Sequence, residues 1–338
     1  MVTGRVPAAG VCADGDQPPL VIVLGPTASG KSALAVALAE RMGGEVLNAD
    51  SRQIYRGLDI GTAKPTAAER RGIPHHLFDL VEPEQAYSAA AYRAHAVAAA
   101  RDVSDRGKLP IVVGGTGLYL RVLRHGIFDG PGRSAYHDRL DAVAARGGLG
   151  RLHRWLGRVD PAWAARVGSG DRQRVLRALD VYLQTGLPMS EHIRRARPAR
   201  LPFDVLTLGC SWPRPALYGR IDRRVDEMVR AGLLDEVRRA RARPGFAGAN
   251  AAKAVGYRQL GDYLGGRTTL DHAIEKIKRD TRRLAKRQMT WFGKEPDVCW
   301  LPAGDSDELV ATGTASVRAF FARRASAGAR RRGEAPSA

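Results

Sequence analysis

The sequence predicts an α/β fold in which a parallel β-sheet packed with helices is interrupted by an all-helical insertion. Three observations predict it. An apolar run of strand length at residues 20–24 leads through a glycine-rich loop into a helical pattern at residues 33–42. A second strand, glycine turn and helix follow one another between residues 109 and 124. From residue 131 to residue 202 strand patterns are missing and short helices succeed one another, so this segment interrupts the sheet.

The loop after the first strand spells GPTASGKS, a full match to the phosphate-binding pattern G-x-x-x-x-G-K-[ST]. Its glycines let successive backbone N–H groups face an anion, and the following helix N-terminus adds partial positive charge. Lys31 is expected to reach the outer phosphate, and Ser32 to hold a magnesium ion. The pattern predicts a bound di- or triphosphate, without indicating which one or whether a phosphoryl group is transferred. The predicted phosphate-binding residues are Gly25, Pro26, Thr27, Ala28, Ser29, Gly30, Lys31 and Ser32.

A second predicted strand, residues 45–49, runs directly into Asp50. Ligands of open α/β sheets meet the carboxyl ends of the strands, so Asp50 is expected to face the same crevice as the phosphate loop. The alternative is an aspartate that only caps the turn after it. His75 and His76 follow in a segment rich in Gly and Pro. Adjacent side chains point in different directions, which makes a structural or substrate-orienting role more plausible than a shared metal.

After a predicted helix at residues 86–108, the strand at residues 109–113 ends in the turn Gly114–Gly117. This turn places Thr116 at the edge of the sheet where ligands bind. No acidic residue ends this strand, whereas a conventional NTPase usually has one there to hold magnesium.

The insertion carries clear helix signals. Asp160 precedes Pro161, and Asp171 precedes an apolar stripe that Gly186 closes. Arginines lie largely off that stripe and continue beyond it, which indicates either an RNA-facing side or a solvated face. They are Arg172, Arg174, Arg177, Arg194, Arg195, Arg197 and Arg200.

The strand pattern returns at residues 203–209, and the helix after it carries Arg220 and Arg224 one turn apart, where both could clasp one anion. The last long helix, residues 271–292, is the most cationic stretch and ends in polar and aromatic groups. Cations followed by aromatic rings suit an RNA-binding surface. Its basic residues are Lys276, Lys278, Arg279, Arg282, Arg283, Lys286 and Arg287.

The composition points to a polyanionic partner, because the 338 residues carry a formal net charge of +19. Three widely separated cysteines predict neither disulfides nor zinc and fit a reducing cytoplasm. No apolar run approaches the length of a membrane helix. We expect a core made of residues 19–130 and 203–322, a helical insertion at 131–202, and disordered tails at 1–18 and 323–338.

Several motifs, taken together and in order, resemble those of the tRNA dimethylallyltransferases, or IPP transferases. They are GPTASGKS at 25–32, NADSRQIYRGLDIGTAKP at 48–65, PHHL at 74–77, VVGGTGLYL at 112–120, AVGYRQL at 254–260 and KRQMTWF at 286–292. The resemblance runs from about residue 20 to residue 295. It implies a P-loop NTPase-like core with a tRNA-facing helical insertion. It also implies transfer of a dimethylallyl group from dimethylallyl diphosphate to N6 of the adenosine next to the anticodon.

The same resemblance implies the roles of individual residues. Asp50 is the general base, the P-loop holds a diphosphate leaving group rather than ATP, and Thr116 lines the channel for the base. Lys31, Asp50 and Thr116 are the expected catalytic residues, with Arg220 and Arg224 beside the diphosphate. Mg²⁺ is the expected cofactor, the tRNA anticodon stem-loop and dimethylallyl diphosphate are the expected partners, and the protein is expected to be a monomer. The residues expected to contact tRNA are Asp50, Ser51, Arg52, Gln53, Thr116, Gln173, Arg174, Val175, Leu176, Arg177, Lys253, Ala254, Val255, Gly256, Tyr257, Arg258, Lys286, Arg287, Gln288, Met289, Thr290, Trp291, Phe292 and Gly293.

One departure and two other functions stay open at this point. His137 falls where the family often has an arginine that contacts tRNA. A P-loop small-molecule kinase would use ATP and would not need the cationic helix at 271–292. A non-enzymatic, RNA-binding, GTPase-like switch would need a guanine-reading N-K-x-D segment, which the sequence lacks.

Overall fold

Six parallel strands form one sheet in the computed structural model, which describes residues 17–128, 130–195, 201–302, 304 and 306–333. The strands are β1 (Pro19–Leu24), β2 (Gly44–Asn48), β3 (His75–His76), β4 (Leu109–Gly114), β5 (Asp204–Cys210) and β6 (Val298–Leu301). Their order across the sheet is β3-β2-β4-β1-β5-β6. Because β4 pairs in parallel with both β1 and β2, the carboxyl ends of these three strands meet at one edge.

Fourteen helices accompany the sheet in the described ranges. They are α1 (Lys31–Met42), α2 (Ala67–Arg70), α3 (Ala89–Asp105), α4 (Gly117–His125), α5 (Ala135–Val143), α6 (Leu149–Val159), α7 (Pro161–Ala164), α8 (Arg172–Thr185), α9 (Met189–Arg195), α10 (Arg214–Arg230), α11 (Leu233–Arg241), α12 (Tyr257–Leu264), α13 (Leu270–Phe292) and α14 (Ser306–Gly333). Within these ranges, none of the helices combines the length and the apolarity needed to cross a bilayer.

The predicted first strand is buried on both faces, which explains why every residue of its centre is apolar. Leu20 and Ile22 point into one core, which they share with α3 and α4. Val21 and Val23 point into a second core with α1 and α14. The predicted stripe of α1 is confirmed, since Leu34, Leu38 and Met42 are all buried there. The phosphate loop is therefore anchored at both ends by buried elements.

A third core ties the segment after β2 to the helices near the C-terminus. Ile54 and Tyr55 from that segment pack with Phe246, Tyr257 and residues of α11 to α13. This core supports the residues between β2 and β3, which form one wall of the site described below.

The chain divides into two compact units. The unit with the sheet comprises the residues up to Leu123 and from Leu201 onward, and the other comprises Arg124–Arg200. The second unit begins before the predicted residue 131, because Phe128 packs against its helical core. The predicted helix starts within it are confirmed. Asp160 accepts a hydrogen bond from the N–H of Trp163 (3.0 Å), and Asp171 accepts one from the N–H of Arg174 (3.1 Å).

The sequence interpretation missed β6 and α14, and its C-terminal tail was wrong for residues 323–333, which continue α14. The contacts of Arg324 explain part of why this segment continues the helix. It pairs with Asp204 of β5, stacks over Phe320 and donates to the carbonyl of Gln17 (2.7 Å). Residues 334–338 and residues 1–16 of the other predicted tail lie outside the described residues. Residue Pro18 already accepts a hydrogen bond from the N–H of Asp204 (2.9 Å) and leads into β1.

Candidate active site

The strand ends bring the predicted functional residues to one cleft. The cleft lies at the edge where β1, β2 and β4 end. Lys31 and Ser32 line it from the phosphate loop, and Asp50 and Gln53 line it from the segment after β2. Arg224 of α10 lines it as well. The parallel sheet thus places cationic and acceptor side chains around one space, as the strand ends predicted.

The phosphate loop has the backbone shape that points N–H groups at an anion. Ala28 and Gly30 both have positive φ angles, of 64° and 87°. The ammonium of Lys31 donates to the carbonyl of Pro26 (3.1 Å), which keeps the side chain over its own loop. Burial lowers the pKa of Lys31 to about 8, and the charge of Arg224 adds to this while Asp50 opposes it. The site therefore places two cationic side chains, Lys31 and Arg224, beside each other.

The two arginines of α10 have different surroundings. Arg224 lines the cleft with Lys31, and burial lowers its pKa, with Glu69 and Asp50 opposing the shift. Arg220 instead donates through Nε to the carbonyl of Ala28 (2.8 Å) and stacks over Trp212 at 4.4 Å. The sequence predicted that both arginines clasp an anion. In the structure Arg224 lines the cleft, whereas Arg220 holds the loop through its Nε.

A second cleft is lined by the loop itself and shares Lys31, Ser32 and Arg224 with the first cleft. Arg220, Arg223 and Arg224 line it, together with Glu69 and Glu227 and the loop backbone. The sequence interpretation missed Arg223. Its spacing from Arg220, three residues on the same helix, was the available signal.

Asp50 combines the two roles that the sequence left as alternatives. Its Oδ1 accepts the N–H of Arg52 (2.8 Å), and its own N–H donates to Asn48 (2.9 Å), so it does cap the turn. Its side chain also lines the cleft, and in the described part of the chain no hydrogen bond to Oδ2 is found. One carboxylate oxygen is thereby held in place while the other is available as an acceptor.

Thr116 reaches the site through Ser51 rather than by lining the cleft. Its Oγ1 accepts the N–H of Ser51 (2.9 Å) and donates to Ser51 Oγ (3.2 Å). Its own N–H donates to the carbonyl of Ala49 (3.3 Å). The second glycine turn is thus bonded to both sides of Asp50 in sequence, which fixes the backbone that carries the carboxylate.

Gln53 presents an acceptor because both of its amide hydrogens are used by the backbone. Its Nε2 donates to the carbonyls of Thr62 (3.0 Å) and Ala63 (2.9 Å). The loop that carries these carbonyls is held by Glu236, a buried residue that the sequence interpretation missed. Glu236 accepts the N–H groups of residues 59, 60 and 61 at 2.8, 2.8 and 2.9 Å, and the hydroxyl of Tyr257 at 2.5 Å.

The side chains of the two adjacent histidines meet different partners, in line with the prediction that they point in different directions. His75 lines the cleft and donates through Nδ1 to the carbonyl of Ile73 (2.8 Å), so its Nε2 is an acceptor. Burial is the main cause that lowers the pKa of His75, which favours the neutral ring. His76 lies 2.7 Å from Glu45, whose pKa falls to about 2, chiefly through the hydrogen bonds of Arg106. Among the described residues no group of three or more His, Cys, Asp or Glu could hold a metal.

The oxygen chemistry at Ser32 nevertheless fits magnesium beside a phosphate. Ser32 is exposed, lines the cleft with Asp50, and in the described ranges its hydroxyl makes no hydrogen bond. Mg²⁺ is usually bound by one or two protein oxygens, phosphate oxygens and water rather than by a full protein cage. Ser32 could therefore supply one ligand once a diphosphate supplies others.

The expected tRNA contacts divide by burial, and part of that prediction was wrong. Five of the named side chains are buried in the cores and have no surface for a nucleic acid. They are Val175, Leu176, Ala254, Tyr257 and Phe292, at 0–6% exposure. A helical motif includes its inward face, which explains the error. For the exposed residues tRNA contact stays a prediction. They include Gln173, Arg174, Lys253, Arg258, Lys286, Arg287 and Thr290.

The cations of α13 also divide in two. Those up to Arg283 meet carboxylates, and three of them pair with carboxylates of other helices. Lys276 pairs with Asp262 (3.5 Å), Lys278 with Asp226 (2.8 Å), and Arg282 with Asp222 (2.6 Å). Arg279 and Arg283 lie near Asp280. Lys286 and Arg287 are exposed, and within the described residues neither forms an ion pair.

His137, the departure from the family pattern, points toward a buried acid. Its Nδ1 lies 3.5 Å from Asp180, which is fully buried in the second unit. Ser134 donates to the same carboxylate. His137 therefore lies beside a carboxylate of its own unit, and within the described residues neither its Nδ1 nor Asp180 Oδ2 makes a hydrogen bond.

Comparisons with known proteins agree with the geometry. The chain matches the family model described as IPP transferase over residues 53–295, and the one described as Isopentenyl transferase over residues 18–83. It is 48% identical to a tRNA dimethylallyltransferase of Geobacter metallireducens, covering 87% of this chain and 96% of that protein. A relative of the same name from Pelotomaculum thermopropionicum is 47% identical, covering 84% and 90%.

Solved structures give the same result. The tRNA isopentenylpyrophosphate transferase of Bacillus halodurans superposes with a TM-score of 0.70 at 37% identity, covering 92% of this chain and 99% of that one. A eukaryotic dimethylallyltransferase described as acting on tRNA superposes with a TM-score of 0.76 at 30% identity, covering 90% and 78%. These proteins have a P-loop NTPase-like fold, which confirms the predicted fold class. With a family model matched over most of its length and relatives nearly half identical to it, the chain belongs to the IPP transferase family, that of the tRNA dimethylallyltransferases.

Proposed function

We propose that this prenyltransferase moves a dimethylallyl group from dimethylallyl diphosphate to N6 of the adenosine next to the anticodon of tRNA, releasing diphosphate. One observation carries the proposal beyond family membership. A phosphate loop with Lys31 and an acceptor, Asp50, line the same cleft. A reaction that expels an anion and releases a proton needs both groups at once.

Asp50 acts on the nucleophile. The amino group of adenine is weakly nucleophilic, because its lone pair is delocalised into the ring. As the new C–N bond forms, the N6 proton passes to the carboxylate oxygen of Asp50 that does not cap the turn. The bond between the allylic carbon and the diphosphate oxygen breaks at the same time, and its electron pair leaves with the diphosphate.

The cationic wall acts on the leaving group. Loop N–H groups, Lys31 and Arg224 are placed where negative charge grows on the diphosphate, and such fixed donors favour the transition state. Ser32 would hold Mg²⁺ together with phosphate oxygens, and the bound metal ion would supply further charge neutralisation. Gln53 and His75 offer acceptors toward the base from the opposite side of the cleft.

The RNA is held by charges outside the cleft. Lys286 and Arg287 are exposed on α13 and have no intramolecular partner in the described ranges, so they are available to phosphates. Lys253 and the exposed residues of the second unit, Gln173 and Arg174, extend the proposed contacts. The target base has to leave its stack to reach a reacting carbon in the cleft. We place this reaction in the cytoplasm, by a monomer.

The donor is tested by competition for the phosphate loop. Purified protein is titrated with dimethylallyl diphosphate and with ATP in the presence of magnesium. We expect the prenyl diphosphate to compete far better than ATP. ATP hydrolysis at an ordinary turnover rate without prenyl transfer would show that the chain is a kinase-like enzyme, and the proposal would be abandoned.

A further inference from the structure

Gln288 was expected to contact tRNA, but both ends of its side-chain amide bind groups of the protein. Its Oε1 accepts the N–H of Thr27 in the phosphate loop (2.9 Å), and its Nε2 donates to the carbonyl of Gly115 in the second glycine turn (2.8 Å). The fit is close, since a Cβ at Gly115 would lie 2.4 Å from Nε2. One amide therefore connects α13 with the two turns that form the edge of the site.

Two other side chains hold the loop from outside. Trp212 Nε1 donates to the carbonyl of Ser29 (2.9 Å), and Arg220 Nε donates to the carbonyl of Ala28 (2.8 Å). Arg220 and Trp212 also stack on each other at 4.4 Å. We name Gln288, Trp212 and Arg220 the loop clamp.

The clamp matters because the loop conformation is unfavourable by itself. Ala28 has a φ angle of 64°, a left-handed conformation that residues with a Cβ rarely adopt. Such a conformation persists when the surrounding structure over-determines it. The clamp binds groups at and next to this strained position: Gln288 accepts the N–H of Thr27, Arg220 donates to the carbonyl of Ala28, and Trp212 donates to that of Ser29. The loop is thereby fixed with the N–H groups at the start of α1 left to face an anion.

We propose that Gln288 is a positioning residue for the diphosphate of the donor: it holds the phosphate loop in its anion-binding shape and in register with the turn that carries Thr116. The inference rests on the proposed function only in identifying the diphosphate as part of the donor. It assigns Gln288 no contact with the reacting atoms and no contact with RNA, although its neighbours Lys286 and Arg287 remain proposed RNA contacts.

The test compares Gln288→Met with His272→Ala in the full-length protein. Methionine keeps the length of the side chain and removes both hydrogen bonds, whereas His272 is exposed on the same helix and serves as the matched control. The probe is inorganic diphosphate with magnesium, measured by calorimetry. Two hydrogen bonds of ordinary net strength correspond to about tenfold in affinity, which is the expected loss for Gln288→Met. His272→Ala should bind like the parent.

Affinity for tRNA, measured by filter binding at several salt concentrations, separates positioning from RNA contact. We expect Gln288→Met to bind tRNA with the affinity and salt dependence of the parent. Unchanged diphosphate affinity in this variant would overturn the proposal, whether or not tRNA binding fell. Because neither measurement involves prenyl transfer, the result is independent of whether the proposed reaction is right.

If Gln288→Met misfolds and loses its affinity for both diphosphate and tRNA, Trp212→Phe provides the test instead. Phenylalanine keeps the stacking surface for Arg220 and removes only the N–H donor to Ser29. We expect a smaller loss of diphosphate affinity, about threefold for one hydrogen bond, with tRNA affinity unchanged. Parental diphosphate affinity in Trp212→Phe would then overturn the proposal that the clamp shapes the loop.

Discussion

The two walls of the cleft are made of opposite chemistry. The first wall offers the phosphate loop after β1 with Lys31, together with Arg224 of α10. The second wall offers acceptors, namely Asp50 and the carbonyl oxygen of Gln53 after β2, and Nε2 of His75 in β3. The first wall suits the stabilisation of an anion and the second suits the removal of a proton. A group transfer that creates a diphosphate and releases a proton uses both, whereas phosphate binding alone would need only the first.

The walls are also held differently. The loop after β1 is fixed from outside by side chains of distant helices, among them Gln288. The turn after β2 is fixed mostly by local bonds between Asn48, Asp50 and Arg52, together with Thr116. Variants on the two walls should therefore fail in different steps, and the following predictions, from the largest effect to the smallest, use that difference.

Asp50→Asn should cause the largest loss. Asparagine keeps the shape and one oxygen for the N–H of Arg52, but it cannot take the proton from N6. General-base catalysis typically contributes about 100- to 10,000-fold, so single-turnover prenyl transfer should fall by about that factor. Affinities for tRNA and for diphosphate should stay at parental values. Transfer near the parental rate would mean that Asp50 is only a cap, and His75 would become the candidate base.

Lys31→Ala should fail on the other wall. Loss of the ammonium weakens diphosphate binding and the stabilisation of the leaving group, and removal of one such group typically costs about 100- to 1,000-fold in rate. The matched control is Lys108→Ala, which removes one exposed lysine away from the cleft. Donor titrations in the transfer assay should show weaker binding for Lys31→Ala alone. A parental rate for Lys31→Ala, or an equal defect in Lys108→Ala, would contradict the assignment of this wall to the leaving group.

The lowered pKa of Lys31 predicts a pH dependence of diphosphate binding. Because the pKa is about 8, the free protein loses this charge as the pH rises through 8, whereas bound diphosphate keeps the proton on the amine. Diphosphate affinity should therefore fall by about tenfold between about pH 7 and pH 9. Calorimetry on Lys31→Ala gives the baseline, including the titration of diphosphate itself. Equal pH profiles for the two proteins would contradict the prediction.

Variants of the α13 helix should show the smallest effect, and only on RNA binding. Each phosphate contact contributes about 0.7 to 0.9 to the slope of log affinity against log salt. Replacing Lys286 and Arg287 with alanine should flatten this slope by about 1.5 units. The matched double variant Lys278→Ala with Arg282→Ala removes cations that already pair with Asp226 and Asp222, so its effect should be less than half as large. Equal effects would show that ion pairing does not determine which cations meet RNA.

Contiguous motifs predicted the centre of this site well. The strand, loop and helix around Lys31 and the placement of Asp50 at the same sheet edge follow from local patterns and from the geometry of parallel strands. Both predictions need only short stretches of sequence, and the apolar composition of the strands indicates that they are buried.

Long-range partners could not be predicted in the same way. Three of the carboxylates that pair with α13 come from other helices, and the amide of Gln288 binds groups 261 and 173 residues away. Tyr257 is buried because Glu236 and Gly61 approach it, which the motif around it does not reveal. Periodicity gives the faces of a helix, but it does not identify the partner on each face.

The most direct test of the two-wall account is a single-turnover reaction of the parent protein with unmodified tRNA, dimethylallyl diphosphate and magnesium, in the absence of ATP. The tRNA is digested to nucleosides for mass spectrometry, and free diphosphate is measured in the same samples. The account predicts one dimethylallyl group on N6 of an adenosine for each diphosphate released. Diphosphate released without prenylated adenosine, or label transferred from ATP instead, would contradict it.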